Sequence, residues 1–139
     1  MISDKEMDLS ISLFRAQCAC MNIGISTKEV QRSTMPQNIP DLMKEFYVRF
    51  APISIKLLNV QFMPYDMLLD YFKQKGNALS YIPLSYYNND PSQMAYIDKD
   101  VDGSWDYRVQ LPIENAKVKI LGADVFDYLI QLSLRLQNE

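Results

Sequence analysis

The residues best placed to do chemistry are the carboxylates in YIDKDVDGSWDY, Tyr96 to Tyr107. Asp98, Asp100 and Asp102 fall at alternate positions and Gly103 follows, the D-x-D-x-D-G opening of a calcium-binding loop. Such a loop places oxygen ligands at its first, third, fifth, seventh and ninth positions, turns at a glycine in the sixth, and completes the shell with a bidentate glutamate at the twelfth. Asp98, Asp100, Asp102, Gly103 and Asp106 fill the first, third, fifth, sixth and ninth, and the Ser104 carbonyl can serve the seventh. Val109 stands at the twelfth, however, so the bidentate ligand is missing. A calcium hand also needs a helix on each side, whereas an extended MAYI leads in and an alternating WDYRVQL leads out. Asp and Gly are equally what a hairpin turn requires. The expectation is a solvated turn and no metal; the alternative is a calcium-binding regulatory module using the Asp98–Gly103 loop, whose ligands would be Asp98, Asp100, Asp102, Ser104 and Asp106.

Other chemistry is narrowed by composition. The chain contains no histidine, which removes Ser-His-Asp and Cys-His nucleophile pairs and imidazole zinc sites. Two cysteines cannot complete a four-thiolate zinc site. A small carboxylate enzyme, such as a glycosidase, remains an alternative, but no acidic pair stands out and 139 residues leave little room for a cleft with its supporting shell. No cofactor is expected. Seventeen acidic against fourteen basic residues give a net charge of -3, which argues against a nucleic-acid surface and suits an acidic face that meets a basic partner. From Asn88 to Asp106 there are five Asp and one Lys. Tyr86, Tyr87, Asn88, Asn89 and Asp90 read as a polar, aromatic loop near this acidic hairpin. Aromatics supply contact area and acids steer association, so Tyr86, Tyr87, Asp90, Asp98, Asp100, Asp102, Trp105 and Asp106 are the candidate partner-binding residues.

The elements that must position them follow from periodicity. Ser3 and Glu6 fit a capping box, and Met7, Ile11, Phe14, Cys18 and Met21 then mark one apolar helical face that ends near Asn22-Ile-Gly24. This long first helix, within residues 1–25, either packs on the rest of the chain or serves as a dimerisation face, leaving monomer and homodimer both open. Ser26-Thr-Lys-Glu-Val30 reads as the start of a short helix. Pro40 suits the first turn of the next helix, with Leu42, Met43, Phe46 and Phe50 on one side and Ala51-Pro52 as its stop. Ile53 to Phe62 reads as one strand with a bulge or burial on both faces, and Pro64 opens a helix carrying Leu68, Leu69 and Phe72 that Gly76 closes.

The second half reads as an antiparallel meander of Tyr81–Leu84, Met94–Ile97, Trp105–Leu111 and Val118–Leu121. Asp124 then introduces a closing helix with Val125, Phe126, Leu129, Leu132 and Leu136 on one face. No repeat or linker divides the chain, so one α+β domain over 1–139 is expected, its sheet flanked by helices. The amino terminus lacks the pattern of a signal peptide, no run reaches transmembrane length, and Cys18 and Cys20 cannot pair along a helix, so a cytoplasmic protein with reduced thiols and no membrane contact is expected.

Residues 26 to 136 resemble the SUKH superfamily, the Smi/Knr-like immunity-protein family. Met35-Pro36 followed by Asp41-Leu42-Met43-Lys-Glu-Phe46-Tyr47 is similar to the family's Leu-Pro element and its helix, although Ala51-Pro52 stands where the family has a glycine turn. Tyr81-Ile-Pro-Leu84 resembles its middle strand, Ala95-Tyr-Ile-Asp98 through Gly103 its strand and hairpin with a characteristic Asp, and Phe126-Asp-Tyr-Leu129 a segment of its closing helix. The resemblance implies an α+β domain without catalytic activity. It further implies a bacterial immunity protein that binds a cognate polymorphic toxin and occludes it, on a surface that varies with the partner.

Overall fold

The computed structural model describes residues 2–138, so Met1 and Glu139 of the expected 1–139 domain lie outside the described residues. Ser3 Oγ accepts from the Glu6 amide at 3.2 Å while the Glu6 carboxylate accepts from the Ser3 amide, and this reciprocal cap starts helix α1 (Asp4–Cys20). Its Met7, Ile11, Phe14 and Cys18 are buried in the common core, so the expected apolar stripe is used in internal packing. Burial pushes the Cys18 thiol up to about 11, whereas Cys20 is exposed.

After α1 come β1 (Ile25–Lys28), α2 (Asp41–Arg49), β2 (Ala51–Ile55), β3 (Val60–Phe62), α3 (Tyr65–Lys75), β4 (Tyr81–Tyr87), β5 (Asp90–Lys99), β6 (Trp105–Ile113), β7 (Lys117–Gly122) and α4 (Val125–Gln137). β1 and β2 make a two-stranded sheet, and β3 to β7 make a five-stranded antiparallel sheet in chain order. The meander is thus as expected, with β3 added at one edge. None of the helices among the described residues is long and apolar enough to cross a membrane.

Three local expectations need correction. Ser26 to Val30 is not a helix start: Ile25–Lys28 pairs with β2, where alternating half-buried Ile25 and Thr27 suit a pleated strand. Ile53 to Phe62 is not one strand but the arms of a hairpin joining the two sheets. The Leu57 amide donates to the Val60 carbonyl at 2.8 Å, and this tight turn buries both side chains where a continuous strand would send one of them outward. Pro40 occupies the cap of α2 rather than its first turn, and its carbonyl accepts from the amides of Met43 and Lys44.

Aromatic side chains hold the layers together. Phe46 of α2 lies 5.5 Å from Phe126 of α4 in an edge arrangement and 5.4 Å from Tyr47. On the outside of α2, Arg49 ties the helix to α1 by ion pairs with Asp4 and Asp8 and also grips Glu45, which Arg32 grips as well. Tyr47 is fully enclosed, and its hydroxyl has no hydrogen-bond partner among the described residues. Tyr47→Phe keeps the ring contacts and deletes the unpaired group, so its urea midpoint should be unchanged or higher, by up to about 1 kcal/mol in stability. A loss above about 1 kcal/mol would mean that the hydroxyl is satisfied.

Candidate binding surface

Residues directly opposite one another in an antiparallel pair share a face of the sheet. The register therefore places Tyr81 with Asp98, Pro83 with Tyr96, and Tyr86 with both Met94 and Gln61 on one side. Tyr96 continues to Gln110 and Ile120, Asp98 to Asp106, and Pro112 to Val118. The other side carries Ile82, Ala95, Ile97 and Val109, all fully buried. This second side faces the core, and the first is the outer face.

The outer face is unusually apolar for a surface. Tyr81 is 39% exposed, Val118 42% and Ile120 44%. Tyr71 of α3 stacks beside Tyr81 with ring centroids 5.8 Å apart, Tyr96 follows at 6.3 Å, and the Tyr71 hydroxyl donates to the Tyr81 carbonyl at 2.8 Å. Between Tyr81, Met94, Tyr96, Pro91 and Pro112 lies an open trough of about 500 Å³ with Asp98 at its edge.

Three carboxylates of the β5–β6 turn, those of Asp98, Asp102 and Asp106, are occupied locally. Asp98 accepts from Gln110 Nε2 at 2.9 Å. Asp106 receives Arg108 Nε at 3.0 Å and Nη2 at 2.7 Å, and this side-chain pairing holds its carboxyl below the usual range. Asp102 accepts from the Ser104 hydroxyl at 2.6 Å and the Ser104 amide at 2.9 Å, which lowers its carboxyl in the same direction. Asp100 closes the turn through its backbone, accepting from the Gly103 amide at 2.9 Å and donating to the Ser104 carbonyl at 2.8 Å. Gly103 sits at φ +86°, the left-handed region that a side chain disfavours. Among the described residues no three Asp, Glu or Cys side chains converge as a metal shell. The loop is a strand-to-strand turn, held by its own hydrogen bonds.

At the far end of β5 the expected loop Tyr86 to Asp90 is instead a two-residue hairpin turn. Asn88 and Asn89 both take φ 56°, as a primed turn demands, while Tyr86 and Tyr87 belong to β4. Strand alternation sends Tyr86 to the outer face and Tyr87 to the core side, where its hydroxyl meets that of Tyr128 at 2.8 Å. Tyr128 in turn meets Ser85 Oγ at 2.7 Å. Tyr128→Phe removes both bonds and strands two buried hydroxyls, for an expected loss of about 1–2 kcal/mol in chemical denaturation. Asp90 accepts from the Ser92 hydroxyl at 2.8 Å and its amide at 3.0 Å, bonds that lower its carboxyl.

The expected partner-binding set is therefore divided. Asp90 and Asp98 stand about 26 Å apart at about 3.3 Å per residue of strand. Trp105, opposite Lys99, points to the side away from Asp98 and Asp106, with Lys99 Nζ 5.3 Å from its ring. Tyr86, Asp98 and Asp106 do share the outer face, and Asp100 and Asp102 are exposed at its end. Sequence reasoning missed Tyr81, Met94, Tyr96 and Ile120, although Met94, Tyr96 and Asp98 sit at strand period and so signal a common face.

Fold and surface together define an α+β protein whose five-stranded antiparallel sheet buries one side under helices and leaves apolar groups of the other exposed. No family model, curated protein or solved structure matches the chain.

Proposed function

We propose that this chain is a noncatalytic protein-binding domain that docks through the outer face of its sheet. Its partner is a cognate bacterial toxin, neutralised by occlusion in the cytoplasm, where Cys18 and Cys20 stay reduced. The observation that carries the reading is the aromatic and aliphatic outer face, on which Tyr81, Pro112, Val118 and Ile120 are exposed and Met94 and Tyr96 half-buried, bordered by Asp98 and the Asp106–Arg108 pair. Contiguous apolar surface with a polar rim is what a partner buries, aromatic anchors concentrate binding energy, and acidic groups steer a basic partner. The SUKH resemblance supports the choice of toxin.

The test is retention of a partner from lysate of the source organism, joined to protection of cells that express the toxin so identified. Wild-type protein should retain one toxin stoichiometrically, with or without a calcium chelator, and restore growth. Ile120→Arg, on an exposed position of β7, should fold normally yet weaken binding at least about tenfold, which is about 1.4 kcal/mol. Equal protection by Ile120→Arg, or turnover of a substrate that loss of one carboxylate abolishes, would refute the reading.

A further inference from the structure

On the opposite side of the sheet, a recess of about 390 Å³ opens between the core face of β4 to β7 and α4, at the lower end of small-molecule sites. Leu111, Leu121 and Leu132 give it apolar walls, and Lys119 and Arg135 bring two cations. Among the described residues no carboxylate lines it, although the chain as a whole carries a net charge of -3. A small anion with an apolar body matches both the walls and the charge.

The floor supplies a further donor. Ser85, Tyr128 and Tyr87 carry three hydroxyl protons but share only two hydrogen bonds, at 2.7 and 2.8 Å, so one proton is unused among the described residues. Three arrangements are possible. One leaves the spare proton on Ser85, which is 0% exposed, and so strands a donor without an acceptor at the cost of its desolvation. The other two leave it on Tyr87 or Tyr128, both of which line the recess. The rim is ordered by a one-way relay: Arg135 donates to Asn59 at 2.6 Å, Asn59 to Asn88 at 3.2 Å, Asn88 to Gln93 at 3.1 Å, and Gln93 to Asp90 at 3.3 Å. The relay ends on Asp90, whose carboxylate also accepts from Ser92.

We propose that this recess binds a small organic carboxylate, its acid group meeting Lys119 and the spare tyrosine proton and its apolar body lying on the three leucines. The site is separate from the outer docking face, so failure of either proposal leaves the other standing.

Titration of the folded chain with sodium hexanoate or benzoate, followed by amide NMR, tests it. Saturable shifts should appear at Leu121 and Gln131, and the affinity should fall at least about tenfold in Lys119→Met and for hexanamide in place of hexanoate. Lys119 is exposed on an edge strand, so that variant should keep the fold. The proposal is overturned if neither acid gives a saturable shift at about 10 mM, if hexanamide binds equally well, or if binding survives Lys119→Met unchanged.

Discussion

Phe14→Ala should cost about 3–5 kcal/mol, a large share of the about 5–15 kcal/mol that stabilises an ordinary domain. Phe14 is fully buried, and its ring meets Phe50 at 5.9 Å and Phe62 at 5.8 Å, both edge-on. Phe50 caps the end of α2 and Phe62 ends β3, so one side chain of α1 joins elements from both sheets' surroundings. Truncation leaves a cavity walled by two rings that are themselves held by Phe46 and Tyr128, and such walls relax little. Leu13→Ala, at the neighbouring but exposed position, should change stability by no more than about 0.5 kcal/mol. Urea denaturation of the two variants decides the matter: similar midpoints would make α1 an appendage instead of a part of the core.

Gly122→Ala should destabilise toward the upper end of the about 1–3 kcal/mol that overpacking costs. A Cβ at this position would stand 2.7 Å from the Tyr128 amide nitrogen, 3.0 Å from the Tyr128 Cα and 3.1 Å from the Asp124 carbonyl oxygen. All three are backbone atoms, so no side chain can rotate away. Glycine is needed here because the end of β7 passes directly against the first turn of α4. Moving α4 would disturb its cap, in which Asp124 accepts from the Asp127 amide at 2.8 Å and Asp127 accepts from the Ala123 amide at 2.7 Å. It would also pull Tyr128 away from Ser85 and Tyr87. Gly24→Ala is the control, since nothing lies within 4 Å of its added Cβ. Thermal melts in which the two variants match would contradict the close approach.

The sequence made the helices legible because their signals are local. Ser3 with Glu6, Asp124 with Asp127, and Gly76 at φ +51° after α3 each act within one turn. β1 was hidden for the same reason, since Ser26 and Glu29 stand at capping-box spacing while the pairing with Ala51–Ile55 that decides the outcome is distant in the chain. The hairpin between β2 and β3 was masked by the strand-like alternation of ISIKLLNVQF, which has no glycine or proline to mark its turn. The faces of the sheet were less legible than its strands because irregularities in register fall between Pro83 and Ser85 and between Tyr86 and Tyr87. The first leaves Pro83 opposite Tyr96 on the outer face and Ser85 opposite Ala95 on the core face, so alternation along β4 changes phase there, whereas Tyr86 and Tyr87 serve opposite sides by ordinary alternation. The acidic turn was readable from Asp and Gly chemistry alone, whereas the apolar outer face required the register.

The central claim is that a protein partner covers the outer face, and oxidative side-chain labelling of the chain alone and in complex with its captured partner tests it most directly. Labelling of Met94, Tyr81 and Tyr96 should fall in the complex while exposed Cys20, at the end of α1, labels as before. Unchanged labelling of those three residues, with protection found on α1 instead, would contradict the account.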